Sequence, residues 1–297
     1  MNHHLWLNNI SPFVRTGRIM KSHSLTGEWM DHDHVYTYIE QGEAEFILSG
    51  VKYEVGEGDV IVMHPMMSHL IRSTSDLALI QYIFHFDLFY DENRSQLKST
   101  SAAHFRRDDI LAKEMSLADI HPVAHLKLAD RMECKKRFLQ LQQEITSPVQ
   151  QNILLVKSLC LELLHLFIKN QPEHNQSKGK MTKGWPAIEK AIVCMNQRYH
   201  DPLLKNDDVS SYAGVTPNHL SYLFKNQLGI TVYNYLKHVR IEQAKLHILS
   251  GNKSITEIAE EVGFSSVHLF SRSFKEHVGI TPSKYAASQS TNMKTAH

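Results

Sequence analysis

Two groups of polar side chains near the carboxyl end of the chain are suited to hydrogen bonding with DNA. They lie opposite the apolar residues on two amphipathic helices, and they are Asn218, Ser221, Tyr222, Lys225, His268, Ser271, Arg272 and Lys275. The Arg272 guanidinium can donate two parallel hydrogen bonds to a guanine, and the Asn218 amide can pair similarly with an adenine. Tyr222 suits a thymine methyl group or a phosphate, whereas the lysines suit phosphates, which position a protein without specifying sequence. The alternative interpretation is an ordinary solvated helix face, and it weighs more for Tyr222 and Lys275 than for Arg272.

Both groups belong to an internal repeat. Asp208–Thr231 and Glu257–Pro282 each have the pattern of a short helix, a glycine turn and a second helix that begins after a hydroxyl residue, Thr216 or Ser266. This pattern predicts a helix-turn-helix unit. Two units in series are a stronger signal than one, because single helical hairpins are common.

A single helix, Thr231–Ser250, is predicted to join the two units. At 1.5 Å per residue its length is about 30 Å, close to the roughly 34 Å of one turn of B-DNA. Two recognition helices at this separation could enter successive major grooves on one face of a duplex. Arg240 and Glu242 of the joining helix are interpreted as a pair that supports the fold rather than as DNA contacts.

Charge is distributed unevenly along the chain. Residues 178–297 contain 15 Lys and Arg against 9 Asp and Glu, a net charge of +6, although the whole chain has only +1. The preceding residues therefore carry −5. A basic segment on an acidic body is typical of a protein with one part that meets a polyanion.

Composition excludes several classes of protein. With 42% apolar and 21% charged residues, the chain is no disordered polymer. No uncharged apolar run reaches the roughly 18 residues of a membrane span, and the first residues lack the pattern of a signal peptide. Cys134, Cys160 and Cys194 fit neither a zinc site nor a disulfide framework, which predicts the reducing cytoplasm.

The first 90 or so residues predict short strands separated by glycine turns. The predicted strands are Val35–Ile39, Ala44–Leu48, Val51–Val55, Val60–Met63 and Leu79–Phe86. Ser49-Gly50 is predicted to be a hairpin turn, with apolar residues of both flanking strands on one face. Short strands at close spacing favour an antiparallel sandwich or barrel.

Beyond Pro122 the apolar period becomes helical. The helix predicted at Val149–Asn170 is apolar over more than half its surface, so it either packs under the barrel or pairs with a second chain. Gln171–Gly184 is polar and predicts a linker.

The C-terminal segment resembles the AraC/XylS family of bacterial transcription regulators. The match covers about Trp185–Ala286, and its most specific part is NKSITEIAEEVGFSSVHLFSRSFKEHVGITPSKY, Asn252–Tyr285. Ser210 and Ala286 depart from the usual alanine and arginine of the family. The resemblance implies that the eight polar positions named above contact promoter DNA, and that RNA polymerase is a partner.

Asp31–Ser73 resembles the cupin-like sensor domain of the same family. The resemblance implies a small effector, of which a carbohydrate is the suggested class, in the mouth of the barrel. Aromatic planes could stack on sugar faces, and polar groups could bond hydroxyls. The candidate contacts are Trp29, His32, His34, Tyr36, Tyr38, His69, Arg72 and Tyr82.

Metal-binding cupins use two His and a Glu on a first motif and one His on a second. Here His32, His34 and His69 fit the histidine positions, but Tyr38 stands where the carboxylate is expected. Three imidazoles would suffice for zinc, copper or iron. Ordinary pocket and loop histidines fit better, so we expect no metal and no cofactor.

The sequence therefore predicts an α+β two-domain chain with an N-terminal cupin-like antiparallel β-barrel and following helices, then a C-terminal all-α tandem helix-turn-helix domain. The predicted divisions are an effector-binding β domain at 1–120, a helical dimerisation segment at 121–170, a linker at 171–184 and a DNA-binding domain at 185–290. We expect an effector-controlled, sequence-specific transcription regulator that is a homodimer, not an enzyme, with no membrane partner. The alternatives are a metal-dependent cupin enzyme with a helical appendage and an interaction module whose helical repeat binds protein.

Overall fold

The computed structural model describes residues 5–22, 26–29, 31–95, 112–147, 152–172 and 179–287. The chain divides into two compact units, Met1–Met181 and Thr182–His297. The first contains antiparallel sheets followed by helices, and the second is helical, so the predicted α+β class is confirmed. Of the helices described, none is both long and apolar enough to cross a membrane.

Two five-stranded antiparallel sheets form the first unit. The strands are β1 Phe13–Ser22, β2 Thr26–Trp29, β3 His34–Gln41, β4 Ala44–Leu48, β5 Val51–Val55, β6 Asp59–Met63, β7 His69–Ser73, β8 Leu79–Asp87, β9 Val123–His125 and β10 Lys180–Met181. The first sheet has the order β1-β8-β3-β6-β9, and the second has the order β10-β5-β4-β7-β2. The five strands predicted from the sequence correspond to β3, β4, β5, β6 and β8.

The other strands lack a clear apolar alternation, which is why the sequence pattern missed them. β1 is an edge strand with the sequence FVRTGRIMKS, and most of its residues are exposed or half-buried. The predicted hairpin turn between β4 and β5 is confirmed, since Ser49 and Gly50 have φ of 44° and 86°.

The first sheet is covered on both faces. Towards the second sheet, residues such as Val35, Ile39 and Ile83 join the apolar cluster of the sandwich interior. On the opposite face, residues such as Tyr36 and Phe84 join a second cluster with the helices that follow the sheets. Every residue of β3 from His34 to Ile39 is consequently buried.

Three helices of the first unit are α1 Glu92–Ser95, α2 Leu128–Thr146 and α3 Ile153–Lys169. The inner face of α3, with Leu159, Leu163 and Phe167, is buried against the first sheet and α2. Of the two alternatives for this apolar helix, packing within the chain therefore accounts for most of its surface. Leu154, at the start of α3, remains 81% exposed.

The second unit contains two helix-turn-helix units. Its helices are α4 Trp185–Arg198, α5 Asn206–Ala213, α6 Pro217–Leu223, α7 Val232–Ser250, α8 Ile255–Glu261 and α9 Val267–Val278. A π-helical turn, Phe224–Leu228, extends α6, and residues 282–287 are helical. The turn before α9 requires glycine, because Gly263 has φ +83° and a Cβ there would lie 2.4 Å from the Tyr199 carbonyl oxygen.

Candidate nucleic-acid interface and sandwich interior

The second helix of each helix-turn-helix unit begins at a hydroxyl cap. The Thr216 side chain accepts a hydrogen bond from the His219 backbone N–H, and the Ser266 side chain accepts one from Leu269. Both caps satisfy backbone donors that the first helical turn leaves without partners. The predicted cap positions are therefore confirmed, and they fix where α6 and α9 begin.

Each of these helices buries one face and leaves the other in solvent. Leu220 and Phe224 are fully buried beneath α6, as are Phe270 and Phe274 beneath α9. The eight polar side chains predicted as DNA contacts lie on the outer faces, where only Ser271 is half-buried. Each group of four is thus presented together on one helix surface.

Two of the outer side chains have intramolecular polar partners, and a third, Tyr222, stacks on the His219 ring. The Ser221 hydroxyl accepts a hydrogen bond of 3.2 Å from the Asn206 amide, which ties α6 to α5. Arg272 Nε lies 3.0 Å from Glu276 Oε1, one turn further along α9. Because the Arg272 side chain is 81% exposed, solvent screens this ion pair and it contributes little to stability. Releasing the guanidinium to a base therefore costs little.

Arg240 and Glu242 support the fold through separate partners, so the predicted pair is wrong. Arg240 donates hydrogen bonds of 2.8 Å to the carbonyl oxygens of Tyr199 and Asp201. Glu242 instead faces Lys245 and His277. Their side chains diverge because residues two apart do not share a helix face.

Half of the predicted effector contacts lie on the helix-facing side of the first sheet. These residues are His34, Tyr36, Tyr38 and Tyr82. The Tyr36 hydroxyl lies 3.4 Å from Cys134 Sγ on α2, and the Tyr82 ring stacks on Phe138 at 4.9 Å. Their burial under α2 separates them from the sandwich interior, so they do not line it.

The remaining candidates are divided among different surroundings. Arg72 lies on the outer face of the second sheet, where it and Lys52 bond Glu45. Burial raises the pKa of Glu45, but these two hydrogen bonds outweigh it and the net shift is downward. The backbone oxygen of buried His32 accepts a hydrogen bond from Arg94. For Trp29 only the backbone is described, paired with His69.

Among the predicted contacts with described side chains, His69 shares the face of β7 with Ile71 of the interior apolar cluster. It belongs to a buried polar cluster that also contains Asp31, Asp33, His85 and Arg15. His85 Nδ1 lies 3.1 Å from Asp33 Oδ1, and His69 Nε2 lies 3.6 Å from Asp31 Oδ2. The structure thus does not bring His32, His34 and His69 together as a three-histidine metal set.

The cluster has mixed charge. Burial raises the pKa of the Asp33 carboxyl well above its usual range, while the nearby Arg15 guanidinium, 3.4 Å away, acts in the opposite direction. Asp31, Asp33 and His85 could together hold a metal ion. Arg15 already supplies a positive charge to Asp33, which disfavours a second cation there.

Gln81 is a further interior polar residue that the sequence pattern did not point to, as it did not point to the cluster of Asp33, His85 and Arg15. It is fully buried on β8 between Leu79 and Ile83, and neither its amide oxygen nor its nitrogen has a hydrogen-bond partner within the described part of the chain. Its neighbours on adjacent strands, Ile39 and Met20, belong to the interior apolar cluster. An unsatisfied buried polar group costs about 1–3 kcal/mol. The alternation of β8 was the available signal, because Gln81 shares a face with its apolar neighbours at positions 79 and 83.

Comparison with known families covers both units. Residues 28–164 match the model of an AraC-like ligand binding domain, and residues 209–288 match a helix-turn-helix domain. Together the two matches account for most of the chain.

Several proteins are similar over parts or all of the chain. The HTH-type transcriptional regulator YpdC of Escherichia coli is 29% identical over 173 residues, which are 57% of this chain and 58% of that protein. The regulator YfiF of Bacillus subtilis is 25% identical, covering 99% of this chain and 89% of its own. The lactose operon transcription activator of Staphylococcus xylosus is 23% identical. The match covers 86% of this chain and 84% of that protein.

Among solved structures, an AraC-type DNA-binding protein of Chromobacterium violaceum is 33% identical over 35% of this chain and 92% of its own, with a TM-score of 0.34. ToxT of Vibrio cholerae, bound to an unsaturated fatty acid, is 15% identical. The match covers 93% of this chain and 95% of ToxT, with a TM-score of 0.41.

Acid is expected to destabilise the first unit. Burial lowers the pKa of His34 to about 3 and those of His69 and His85 to about 4, from 6.5. Between pH 6.5 and 4 the unfolded chain therefore binds protons that the folded chain does not, so stability falls as pH falls. Burial raises the pKa of Glu114 from 4.5 to about 7, which acts in the opposite sense. The raised pKa of the Asp33 carboxyl acts in the same sense as that of Glu114. Because three histidines oppose these two carboxyl groups, the net effect of acid is a loss of stability.

Urea unfolding of the first unit, followed from pH 7 to pH 4, measures this dependence. The His34→Leu variant should show a shallower loss of stability, because one of the three proton-linked groups is removed. A stability that does not change over this range, or a variant with the wild-type slope, would contradict the assignment.

Proposed function

The chain belongs to the AraC family of transcription regulators, and on that premise we propose that it controls a promoter in response to a small polar molecule bound inside the sandwich. It is a regulator with ligand-binding and helix-turn-helix domains and not an enzyme, as its two family matches and similarly built relatives indicate. The proposed division is 1–120 for effector binding, 121–170 for dimerisation, 171–184 as linker and 185–290 for DNA. Within that linker, Lys180–Met181 pair with β5 as strand β10. Its place of action is then the cytoplasm, where promoter DNA and RNA polymerase are.

The observation that carries DNA binding is the duplication of one outward-facing helix surface. α6 and α9 have the same cap, the same buried face and the same kind of exposed donors. α7 lies between them in the chain, and its 19 residues span about 28 Å at 1.5 Å each. Helix-turn-helix recognition places such surfaces in the major groove. The basic charge of this segment favours the phosphate backbone.

For the effector, the strongest support is the Gln81 amide, which is buried and has no hydrogen-bond partner among the described residues. An amide both donates and accepts hydrogen bonds, so it matches a hydroxyl group, which does the same. On the same interior side, His85 lies four residues further along β8, about 13 Å from Gln81. His69 offers a second imidazole beside it, and Asp31 and Asp33 offer acceptors. A neutral hydroxylated molecule, such as a sugar, suits this set. A long apolar acid, of the kind bound by ToxT, would bring its carboxylate towards the two aspartates.

Recognition of that effector must rely on hydrogen bonds more than on stacking. Tyr36, Tyr38 and Tyr82, which the sequence offered for stacking on a sugar, are buried against α2. The effector acts if it binds one arrangement of the regulator more tightly than another, which shifts their populations. Such a shift would alter promoter occupancy or contact with RNA polymerase.

Dimerisation is proposed to use the outer face of α2, with a second copy of this chain as the occupant. Leu128, Met132 and Leu139 are 76%, 73% and 42% exposed. Their spacing of four and seven residues places them on one face of the helix. A stripe of this kind can be buried by its own copy across a two-fold axis.

Arg272→Ala should weaken operator binding by about 1–3 kcal/mol and relax the preference at one base pair. Lys275→Ala should weaken binding to all DNA sequences alike. It should also reduce the slope of log affinity against log salt concentration by about one, because one phosphate contact is lost. Lys190→Ala, on α4, serves as a control for the simple loss of one surface charge. Binding measured on operator variants at several salt concentrations separates these outcomes. An equal loss on every sequence for Arg272→Ala would show a phosphate contact instead of base recognition.

Gln81→Leu should stabilise the first unit by about 1 kcal/mol, because it removes a buried amide without hydrogen bonds, and should abolish the response to effector. Thermal unfolding against a panel of neutral sugars and fatty acids measures both. Gln41→Leu is the matched control, because that amide has a partner, the Ala78 carbonyl oxygen at 3.3 Å. A response that survives in Gln81→Leu would place the effector elsewhere, and stabilisation by fatty acids alone would refute the proposed ligand class.

Met132→Glu should convert the dimer to a monomer, because it places a charge in the centre of the apolar stripe. Sedimentation velocity gives the oligomeric state directly. Ser158→Glu adds the same charge at an exposed position of α3 and should leave the dimer intact. A wild-type chain that sediments as a monomer would refute the proposed contact.

A further inference from the structure

We propose that His238, Glu242 and His277 form a transition-metal site, best suited to zinc, that fastens α7 to the recognition helix α9. The three residues lie within the second unit and are distinct from the outward DNA-facing positions and from the sandwich interior. Their potential ligand atoms all lie within 4.8 Å of one another.

The fold brings these side chains together from two helices. His238 and Glu242 are four residues apart on α7, so they occupy one helix face. His277 lies in the last turn of α9. His238 Nδ1 is 2.8 Å from His277 Nε2, and His277 Nε2 is 3.6 Å from Glu242 Oε1. Three potential ligand atoms thus converge on one point between the helices.

Two imidazole nitrogens and one carboxylate oxygen are a known ligand set for zinc, which leaves a fourth position open. With zinc–ligand distances of about 2.0–2.1 Å, neighbouring ligands of a tetrahedral ion lie roughly 3.3 Å apart. The observed separations of 2.8 and 3.6 Å lie on either side of this value. Small side-chain movements would therefore admit the ion.

The surroundings orient the carboxylate. Lys245 Nζ lies 2.6 Å from Glu242 Oε2, which leaves Oε1 as the oxygen that faces His277. An outer partner of this kind fixes the ligand atom presented to a metal. The other nearby cations, Lys237 and Arg272, pair with Glu276 instead.

Helix polarity and access also favour a cation here. The carboxyl end of α9 carries the negative end of the helix dipole, which stabilises positive charge in the last turn. The His277 side chain is 32% exposed, whereas His238 is buried. An ion could therefore enter from solvent on the His277 side and be held from within by α7.

The site has a consequence for DNA recognition. Arg272, Lys275 and His277 belong to the same helix. A metal that joins the carboxyl end of α9 to α7 would restrict how that helix moves relative to the first helix-turn-helix unit. Metal binding itself does not depend on the proposed regulatory function, so the two can fail separately.

The test is zinc binding to the full chain after removal of metals, measured by competition with a chromophoric chelator. We expect one tightly bound equivalent and a rise in the thermal unfolding temperature of the second unit. His277→Ala and Glu242→Gln should each weaken zinc binding at least tenfold. His200→Ala removes an exposed histidine of the same unit and should not change it. Operator affinity should fall several-fold when the zinc-loaded protein is treated with chelator.

A second variant separates this site from the polar cluster in the sandwich. The Asp33→Asn variant should still bind one zinc ion tightly. Loss of tight zinc binding in this variant would assign the metal to the sandwich and overturn the proposal. A wild-type chain that binds no zinc tightly would also overturn the proposal. So would a His277→Ala variant that still binds one zinc ion as tightly as the wild type. If His277→Ala fails to fold, Glu242→Gln and Asp33→Asn still decide between the two positions.

Discussion

Burial of the first sheet on both faces is the constraint on which the N-terminal unit depends. One face lies against the second sheet and the other against α2 and α3. Successive residues of a strand point to opposite faces, so β3 and β8 must supply two apolar sets at once. The large aromatic side chains face the helices, and mainly aliphatic side chains face the interior. Any polar group left inside must be paired within the protein or by a ligand.

This constraint divides the polar residues of the interior into two kinds. Asp33 pairs with both His85 and Arg15 in a buried cluster. Gln81 has no such partner among the described residues and lies among aliphatic side chains. A buried amide in this position weakens the fold unless something else bonds to it. By the same argument, the effector contact proposed for this residue would oppose the stability of the empty fold.

In the C-terminal unit, the joining helix α7 has a comparable role. Arg240 bonds carbonyl oxygens in the segment that follows α4, so α7 is tied to the first half of the unit. Its other face presents His238 and Glu242 to α9. The outer faces of α6 and α9 stay exposed because the apolar residues of both helices are used for packing within the unit. Rigid attachment through α7 is what two-site recognition of DNA requires, since each surface must meet its groove without a new ordering cost.

The sequence by itself determined the features that depend on short-range chemistry. The repeat, the caps at Thr216 and Ser266, the hairpin at Ser49-Gly50 and the outward position of the eight polar residues all follow from local periodicity and turn geometry. Tertiary structure alone decided which side of β3 faces the interior, because a strand buried on both faces has no polar side to reveal its orientation. It also separated Arg240 from Glu242, and it brought His277 beside His238, 39 residues earlier in the chain. These contacts join distant segments, and the packing of whole helices and sheets, rather than any local pattern, sets their geometry.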